Sequence, residues 1–377
     1  MASLRYAARG AEKPVIIHWT PFVTFFLLLQ SCSSIVERQY AGLMMRTASP
    51  WPTKSEVHMA IRKWKMDVPT LMRNAGIVLI LGASPAWAFA QGEPLRSVTK
   101  PLSAPKLFPP ETQWPGGDDS APAFTPDGNT VFFTHRDEAI TIMMATRHEG
   151  AWSKPQVAPF SGRWRDIEPA MAPDGSYLVF VSNRPAKPGG ALLDGYFGGK
   201  VQSGKGGNIW RVDRRGDGWG EPQRLPDIIN SNSAIYSPAV AGDGSIYFNQ
   251  PDPVTKKSHI YRAQAKGDGF EKPVALSISD GTHPGYDVAV APDESFLVFS
   301  ANREPAAKNQ ALLFIAFAKD GQWSEPQALD PHLEGIEARL SPDLTTLYFE
   351  ADDIAKGNAH GRIFQVPLKA YVSAHGD

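Results

Sequence analysis

Pro122-Ala-Phe-Thr-Pro-Asp-Gly-Asn-Thr-Val-Phe-Phe133 is the stretch whose recurrence decides the fold. Four further copies follow it: Pro169-Ala-Met-Ala-Pro-Asp-Gly-Ser-Tyr-Leu-Val-Phe180, Pro238-Ala-Val-Ala-Gly-Asp-Gly-Ser-Ile-Tyr-Phe248, Val288-Ala-Val-Ala-Pro-Asp-Glu-Ser-Phe-Leu-Val-Phe299 and Ala338-Arg-Leu-Ser-Pro-Asp-Leu-Thr-Thr-Leu-Tyr-Phe349. Each reads as a hairpin. Pro presets φ at the first turn position, Asp bonds the backbone ahead of it, and Gly supplies a positive φ. A short strand precedes the turn, and a Tyr/Val/Phe-rich strand follows it. The shared aspartates Asp127, Asp174, Asp243, Asp293 and Asp343 are 47, 69, 50 and 50 residues apart. A period near 48 with one lengthened copy fits propeller blades.

The rest of a blade can be read between the hairpins. A third strand is expected at Ile140–Ala145, Asn208–Val212, His259–Ala263, Leu312–Phe317 and Arg362–Val366. A second turn then recurs as Trp152-Ser-Lys-Pro155, Trp219-Gly-Glu-Pro222, Phe270-Glu-Lys-Pro273 and Trp323-Ser-Glu-Pro326. Its aromatic is expected to start the fourth, outer strand and to pack between blades. The fifth copy lacks this turn, while Leu102–Pro109 has no blade of its own. That segment is therefore expected to supply the outer strand of blade 5, closing the ring and removing free sheet edges. Counting gives five blades; six is the alternative, if residues 91–120 hide a degenerate copy. The fold class is all-β, a single propeller of four-stranded blades.

These repeats resemble the TolB-type, or WD40-like, propeller repeat found in many exported bacterial proteins, over about residues 100–370. The resemblance implies protein–protein interaction. TolB itself has a separate N-terminal α/β domain, for which this sequence leaves no room after the export segment described next. Propellers host binding, scaffolding and several chemistries, so fold and function are separate questions.

Composition narrows the classes. The 377 residues carry 38 basic and 39 acidic side chains, a net of −1, which argues against nucleic acid as a partner. The 33 Gly and 33 Pro are spaced as punctuation between short elements. The only cysteine, Cys32, permits no intramolecular disulfide. Residues 72–90 have the layout of a signal peptide: Arg73, an apolar run from Ala75 to Ala83, Pro85, and small-x-small sites ending at Ala88 and Ala90. The chain is then read as an upstream extension (1–71) outside the native protein, a signal peptide (72–90), a linker (91–101), the propeller (102–370) and a tail (371–377). The expected location is periplasmic or secreted, with no transmembrane span in the mature chain. A lipid anchor at Cys32, from Leu29-Gln30-Ser31-Cys32, is the alternative.

Candidate site residues fall on one face. Ala121, Glu168, Ser237, Asp287 and Glu337 occupy equivalent positions at the starts of the inner strands, with Asp119 and Asp166 two residues further out. They should ring the channel mouth. Across their hairpins stand Arg184, opposite Glu168, and Arg303, opposite Asp287, which reads as two structural ion pairs, Glu168–Arg184 and Asp287–Arg303. His135 and His283 lie near the same face, as do His259, His332 and His360. Imidazole beside carboxylate permits a divalent metal, though no pair has ligand spacing. Residues 184–207 are an insertion in blade 2. Its glycines imply mobility, and Tyr196 and Phe197 give it an apolar tip suited to a lid or partner-binding loop. Gly199-Lys-Val-Gln-Ser-Gly204-Lys205 has phosphate-loop spacing, but Gly206 stands where a Ser or Thr would ligate Mg²⁺.

Nucleophile-elbow, zincin and EF-hand motifs are absent. The reading is therefore a non-catalytic, monomeric binding module without a cofactor, holding a protein or envelope component. The alternative is a metal-assisted carbohydrate lyase or hydrolase using the channel face.

Overall fold

The computed structural model describes residues 103–110, 117–197, 200–279, 284–307, 310–353 and 358–368. The proposed signal peptide, the upstream extension and Cys32 lie outside them. The described residues form five antiparallel sheets set round an axis, a five-bladed propeller. The inner strands are Asp118–Phe124, Asp166–Met171, Tyr236–Val240, Gly285–Val290 and Ile336–Leu340. The second strands are Thr130–Arg136, Tyr177–Ser182, Ile246–Pro251, Phe296–Ala301 and Thr346–Asp353. The third are Ile140–His148, Asn208–Arg215, Ser258–Ala263, Leu312–Lys319 and Asn358–Pro367.

The turn chemistry is that expected. In every copy the shared aspartate accepts the backbone N–H two residues on, from Asn129, Ser176, Ser245, Ser295 and Thr345. The next residue is left-handed in all five, at Gly128, Gly175, Gly244, Glu294 and Leu344. Blade 3 departs from the pattern, with Gly242 in place of Pro, for a visible reason. Gly242 N donates to the Pro292 carbonyl of blade 4 at 2.7 Å, a bond that Pro cannot make.

Closure follows the expectation. Lys106–Leu107 pairs antiparallel with the third strand of blade 5, Lys106 opposite Gln365 and Leu107 opposite Phe364. Phe108 locks this seam, its ring 5.5 Å from Phe124, 5.7 Å from Trp152 and 4.9 Å from Tyr348.

One strand boundary is corrected. The aromatics Trp152, Trp219 and Trp323 pair with the far end of the third strand, Trp152 for example with Arg147. The outer strand proper resumes after the Pro, at Gln156–Val157, Gln223–Arg224, Val274–Ala275 and Gln327–Ala328. Pro has no N–H to give the ladder, so the pairing breaks there and restarts. The aromatics do pack between blades. Trp219, for instance, stands edge-on to Phe132 of blade 1 at 5.3 Å.

Among the described residues there is no single core. The buried side chains fall into five clusters, each shared by two neighbouring blades: Phe132 with Phe180, Val181 with Phe248, Tyr247 with Phe299, Phe296 with Phe349, and Phe133 with Tyr348. Each large apolar side chain buried there contributes about 1.5–3 kcal/mol. A blade alone would expose two such faces, so the ring is the stable unit.

Candidate functional site

The five equivalent positions at the inner strands share an unusual backbone. Ala121, Glu168, Ser237, Asp287 and Glu337 are all left-handed, with φ of 50, 55, 50, 55 and 53°. At each, the register between inner and second strand slips, a β-bulge. A left-handed conformation costs a non-glycine residue roughly 1 kcal/mol, and repetition in all five blades marks it as built in. The bulge frees the residue's N–H from the ladder and re-aims its side chain.

Those freed groups knit the blades together. Thr134 Oγ1 of blade 1 accepts Glu168 N of blade 2 at 2.8 Å, and Glu168 Oε2 accepts Ser237 N of blade 3 at 2.5 Å. Ser237 Oγ donates to Asp287 Oδ1 of blade 4 at 2.6 Å, and Asp287 Oδ2 accepts Glu337 N of blade 5 at 3.1 Å. Arg136 of blade 1 then donates to Glu337 Oε1 at 3.0 Å, which completes a circuit of all five blades. Arg136 also reaches Glu350 Oε2 and Asp118 Oδ1, each at 3.2 Å.

Negative charge outruns positive in this circuit. Burial, reinforced by Glu337 and Asp287, pushes the Glu168 carboxyl up to about 8. Burial and Glu337 likewise push Asp287 up to about 6. Glu350 rises to about 8, burial and Glu337 outweighing Arg136. Burial works against the Arg136 charge, but Glu337, Glu350 and Asp118 together hold it more firmly protonated than usual. Arg339, buried, stands where the other blades carry Ala123, Ala170, Ala239 and Ala289. Its charge lowers Glu168 and Asp287. Among the described residues, Arg339 Nε and Nη2 and Glu337 Oε2 have no hydrogen-bond partner.

Both predicted ion pairs need correction. Arg184 pairs with Asp166 at 3.1 Å, and Glu168 faces Ser237 instead. Asp287 engages Ser237 and Glu337, while Arg303 donates to the Ile278 carbonyl at 2.6 Å. The bulge is the cause, since it turns the carboxylate away from its own hairpin toward the next blade. The two arginines do have matching roles. Arg184 donates to the Phe160 carbonyl at 2.7 Å, so each ties down the linker leading into its blade, its guanidinium over two aromatic rings.

The described histidines do not gather. His135 binds Asp119 at 2.6 Å through Nδ1, and that hydrogen bond raises its pKa despite partial burial. Asp119 is itself held by Gly117 N at 3.0 Å, so the imidazole is oriented as a base would be. His259 is buried in blade 3 and His332 is exposed in a linker. His283 lies outside the described residues. No group of three His, Cys, Asp or Glu that could hold a metal ion occurs among the described residues.

The blade 2 insertion is more built than its composition suggested. Gly195–Phe197 and Lys200–Gln202 form a hairpin in which Tyr196 stands opposite Val201. Its base is stapled: Asn183 Nδ2 donates to the Gly204 carbonyl, Gly204 N to Asp194 Oδ1, and Tyr236 Oη to the Lys205 carbonyl, at 2.7, 2.7 and 2.8 Å. Gly206 and Gly207 allow close approach. A Cβ would meet the Asp194 carbonyl oxygen at 2.5 Å and Val181 Cγ1 at 2.4 Å. The insertion nevertheless shows apolar surface, with Leu192, Tyr196 and Val201 exposed by 45, 42 and 68%. Beside it, between blades 1 and 2, is a cavity of about 330 Å³ lined by Ile140, Arg163, Trp164, Arg165, Asn183 and Leu192, with Ala139 and Gly162. Sequence reasoning missed these wall residues. The only signal was an aromatic flanked by two arginines, Arg163-Trp164-Arg165, in a short linker.

Among the described residues no helix is long and apolar enough to cross a membrane. No family model matches the sequence, and no curated protein matches it. Similar solved structures include TolB from Acinetobacter baumannii, at 14% identity and a TM-score of 0.40, covering 66% of this chain and 54% of that one. They also include a gluconolactonase from Xanthomonas campestris, at 15% identity and a TM-score of 0.40, covering 66% and 72%. A third is the Hadza microbial sialidase Hz136, at 14% and 0.38, covering 67% and 66%. The chain thus spans about half the length of the TolB protein. These names cover unlike activities, and each activity belongs to its own protein.

Proposed function

We propose that this chain is an exported, non-catalytic binding module of the periplasm or cell surface. It holds a protein or envelope component on the face that carries the blade 2 hairpin. One contrast carries the reading. Most of the channel carboxylates are committed to each other's blades by hydrogen bonds, whereas Tyr196 and Val201 stand exposed opposite each other on a stapled hairpin, with Leu192 exposed in the same insertion. Grouped exposed apolar side chains on an ordered element are a usual sign of an interaction surface. Among the described residues the His135–Asp119 pair is an oriented imidazole on the channel face, and no metal-ligand cluster accompanies it.

The test compares the full chain with a variant in which Gly195–Gln202 is replaced by a Gly-Ser linker. Both are used to capture partners from envelope extract. Equal melting temperatures together with loss of specific partners from the variant would support the reading. An unchanged partner set would remove the hairpin from it.

A further inference from the structure

The cavity between blades 1 and 2 combines two kinds of wall. Trp164, Ile140 and Leu192 make it largely apolar, yet Arg163 and Arg165 bring two guanidinium groups, and among the described residues no carboxylate lines it. Of the neighbouring acids, Asp166 follows Arg165 but is buried and pairs with Arg184 at 3.1 Å, while Asp137 and Glu138 precede Ala139 and are exposed to solvent. Arg165 Nη1 is buried with no hydrogen-bond partner among the described residues. A buried guanidinium N–H without an acceptor is costly unless an anion serves it. Arg163 lies over the Trp164 ring at 5.0 Å, which fixes the aromatic wall.

The wall is held in place. Asn183 Oδ1 accepts Arg165 N at 3.0 Å, while Asn183 Nδ2 grips the Gly204 carbonyl at the base of the hairpin. One side chain thus joins the cationic wall to the insertion. The insertion that supplies Leu192 also carries Lys187, Lys200 and Lys205, all exposed, against the single exposed acid Asp194. The chain as a whole has a net charge of −1, so this insertion is a local positive excess.

From this juxtaposition we propose that the cavity is a receptor site for the C-terminal residue of a partner polypeptide, a free α-carboxylate beside an apolar side chain. The proposal rests on the binding reading above and names its ligand chemistry. A terminal Leu-like residue supplies both demands within one unit: the carboxylate for Arg165 and Arg163, and the alkyl group for Trp164, Ile140 and Leu192. An Asp or Glu side chain would bring the charge without the alkyl group. The volume lies at the small end of the roughly 300–1,000 Å³ span of ligand pockets, which suits one or two residues. Tyr196 and Val201, paired across the hairpin of the insertion that supplies Leu192, add exposed apolar surface that the preceding residues of a polypeptide would cover and a small free acid would not.

The test is fluorescence anisotropy of the full chain with a fluorescein-labelled peptide Ser-Gly-Ser-Gly-Ser-Leu, as the free acid and as the C-terminal amide. The acid is expected to bind at least tenfold tighter. Arg165→Gln should abolish that preference, and Leu192→Asp, at an exposed position, should weaken the acid without changing the melting temperature. Equal affinity for acid and amide would overturn the proposal, as would Arg165→Gln retaining the preference in a folded protein. N-acetyl-leucine displacing the peptide at equal concentration would overturn the polypeptide part in favour of a free small acid. If acid and amide bind alike but replacement of Gly195–Gln202 still abolishes partner capture, the binding face stands and only this ligand class falls.

Discussion

Replacing Glu168 by Gln should make the protein less sensitive to alkali. Glu168 is buried in the channel, where its carboxyl is raised from 4.5 to about 8, chiefly by burial and then by Glu337 and Asp287. The folded state therefore binds this proton more tightly than the unfolded chain does. The resulting stability is fully present below about pH 4.5 and is lost as pH climbs toward 8. At about 1.4 kcal/mol per pH unit, the interval corresponds to roughly 5 kcal/mol for an isolated group. Glu168 shares its charges with Glu337 and Asp287, so the measurable part is smaller, about 2–3 kcal/mol. Gln keeps an oxygen to accept Ser237 N and carries no charge. Urea melts at pH 5.0, 6.5 and 8.0 should show wild type losing stability with rising pH and Glu168→Gln losing about 2 kcal/mol less over that range. His135, raised by its bond to Asp119, contributes a loss of the same sign, but it is common to both proteins and cancels in the difference. Parallel pH profiles for the two proteins, or a wild type more stable at pH 8 than at pH 5, would refute the reasoning.

Three other changes test the frame. Gly242→Pro restores the turn residue of the other copies, yet it should destabilise by about 2 kcal/mol or more, because it deletes the bond to the Pro292 carbonyl and places a Cβ 2.7 Å from that oxygen; a thermal melt reads this directly. Phe108→Ala should cost about 2–3 kcal/mol by emptying the seam between blades 5 and 1, with proteolysis expected to begin at the N-terminal strand. Glu149→Asn should stabilise by about 0.5 kcal/mol, since Glu149 and Gly150 have φ of 50 and 85° in a tight turn that favours Asn-Gly; an unchanged or lower melting temperature would count against it.

The ring was legible because its determinants are local and repeated. Asp127 and its four counterparts announce their turns within three residues, and the orphan segment Leu102–Pro109 could be matched to the blade lacking an outer strand. The site was only half legible. The equivalence of Ala121, Glu168, Ser237, Asp287 and Glu337 was visible, but their left-handed backbone was not. That bulge depends on closing a hydrogen bond to the neighbouring blade, a contact remote in sequence. Pairing each acid with the arginine across its own hairpin therefore failed for Glu168 and Asp287. Arg339 could have been found, standing where four copies have alanine. Trp164, Arg165 and Leu192 could not, because the cavity exists only where a linker from one blade meets the insertion of the next. Glycine was misread in the insertion. Gly206 and Gly207 signalled tight packing there, and composition alone cannot separate that from freedom of motion.

Lys106 and Gln365 become neighbours although 258 residues separate them in the chain. A ribosome makes the first of these long before the second, so the first described strand must wait for its ring-closing partner until nearly the whole polypeptide has emerged. Every intermediate before that moment has two raw sheet edges and an uncovered apolar seam at Phe108. Such a chain stays pliable during synthesis and becomes hard only at the end, when a few hydrogen bonds at the last joint convert an open arc into a hoop.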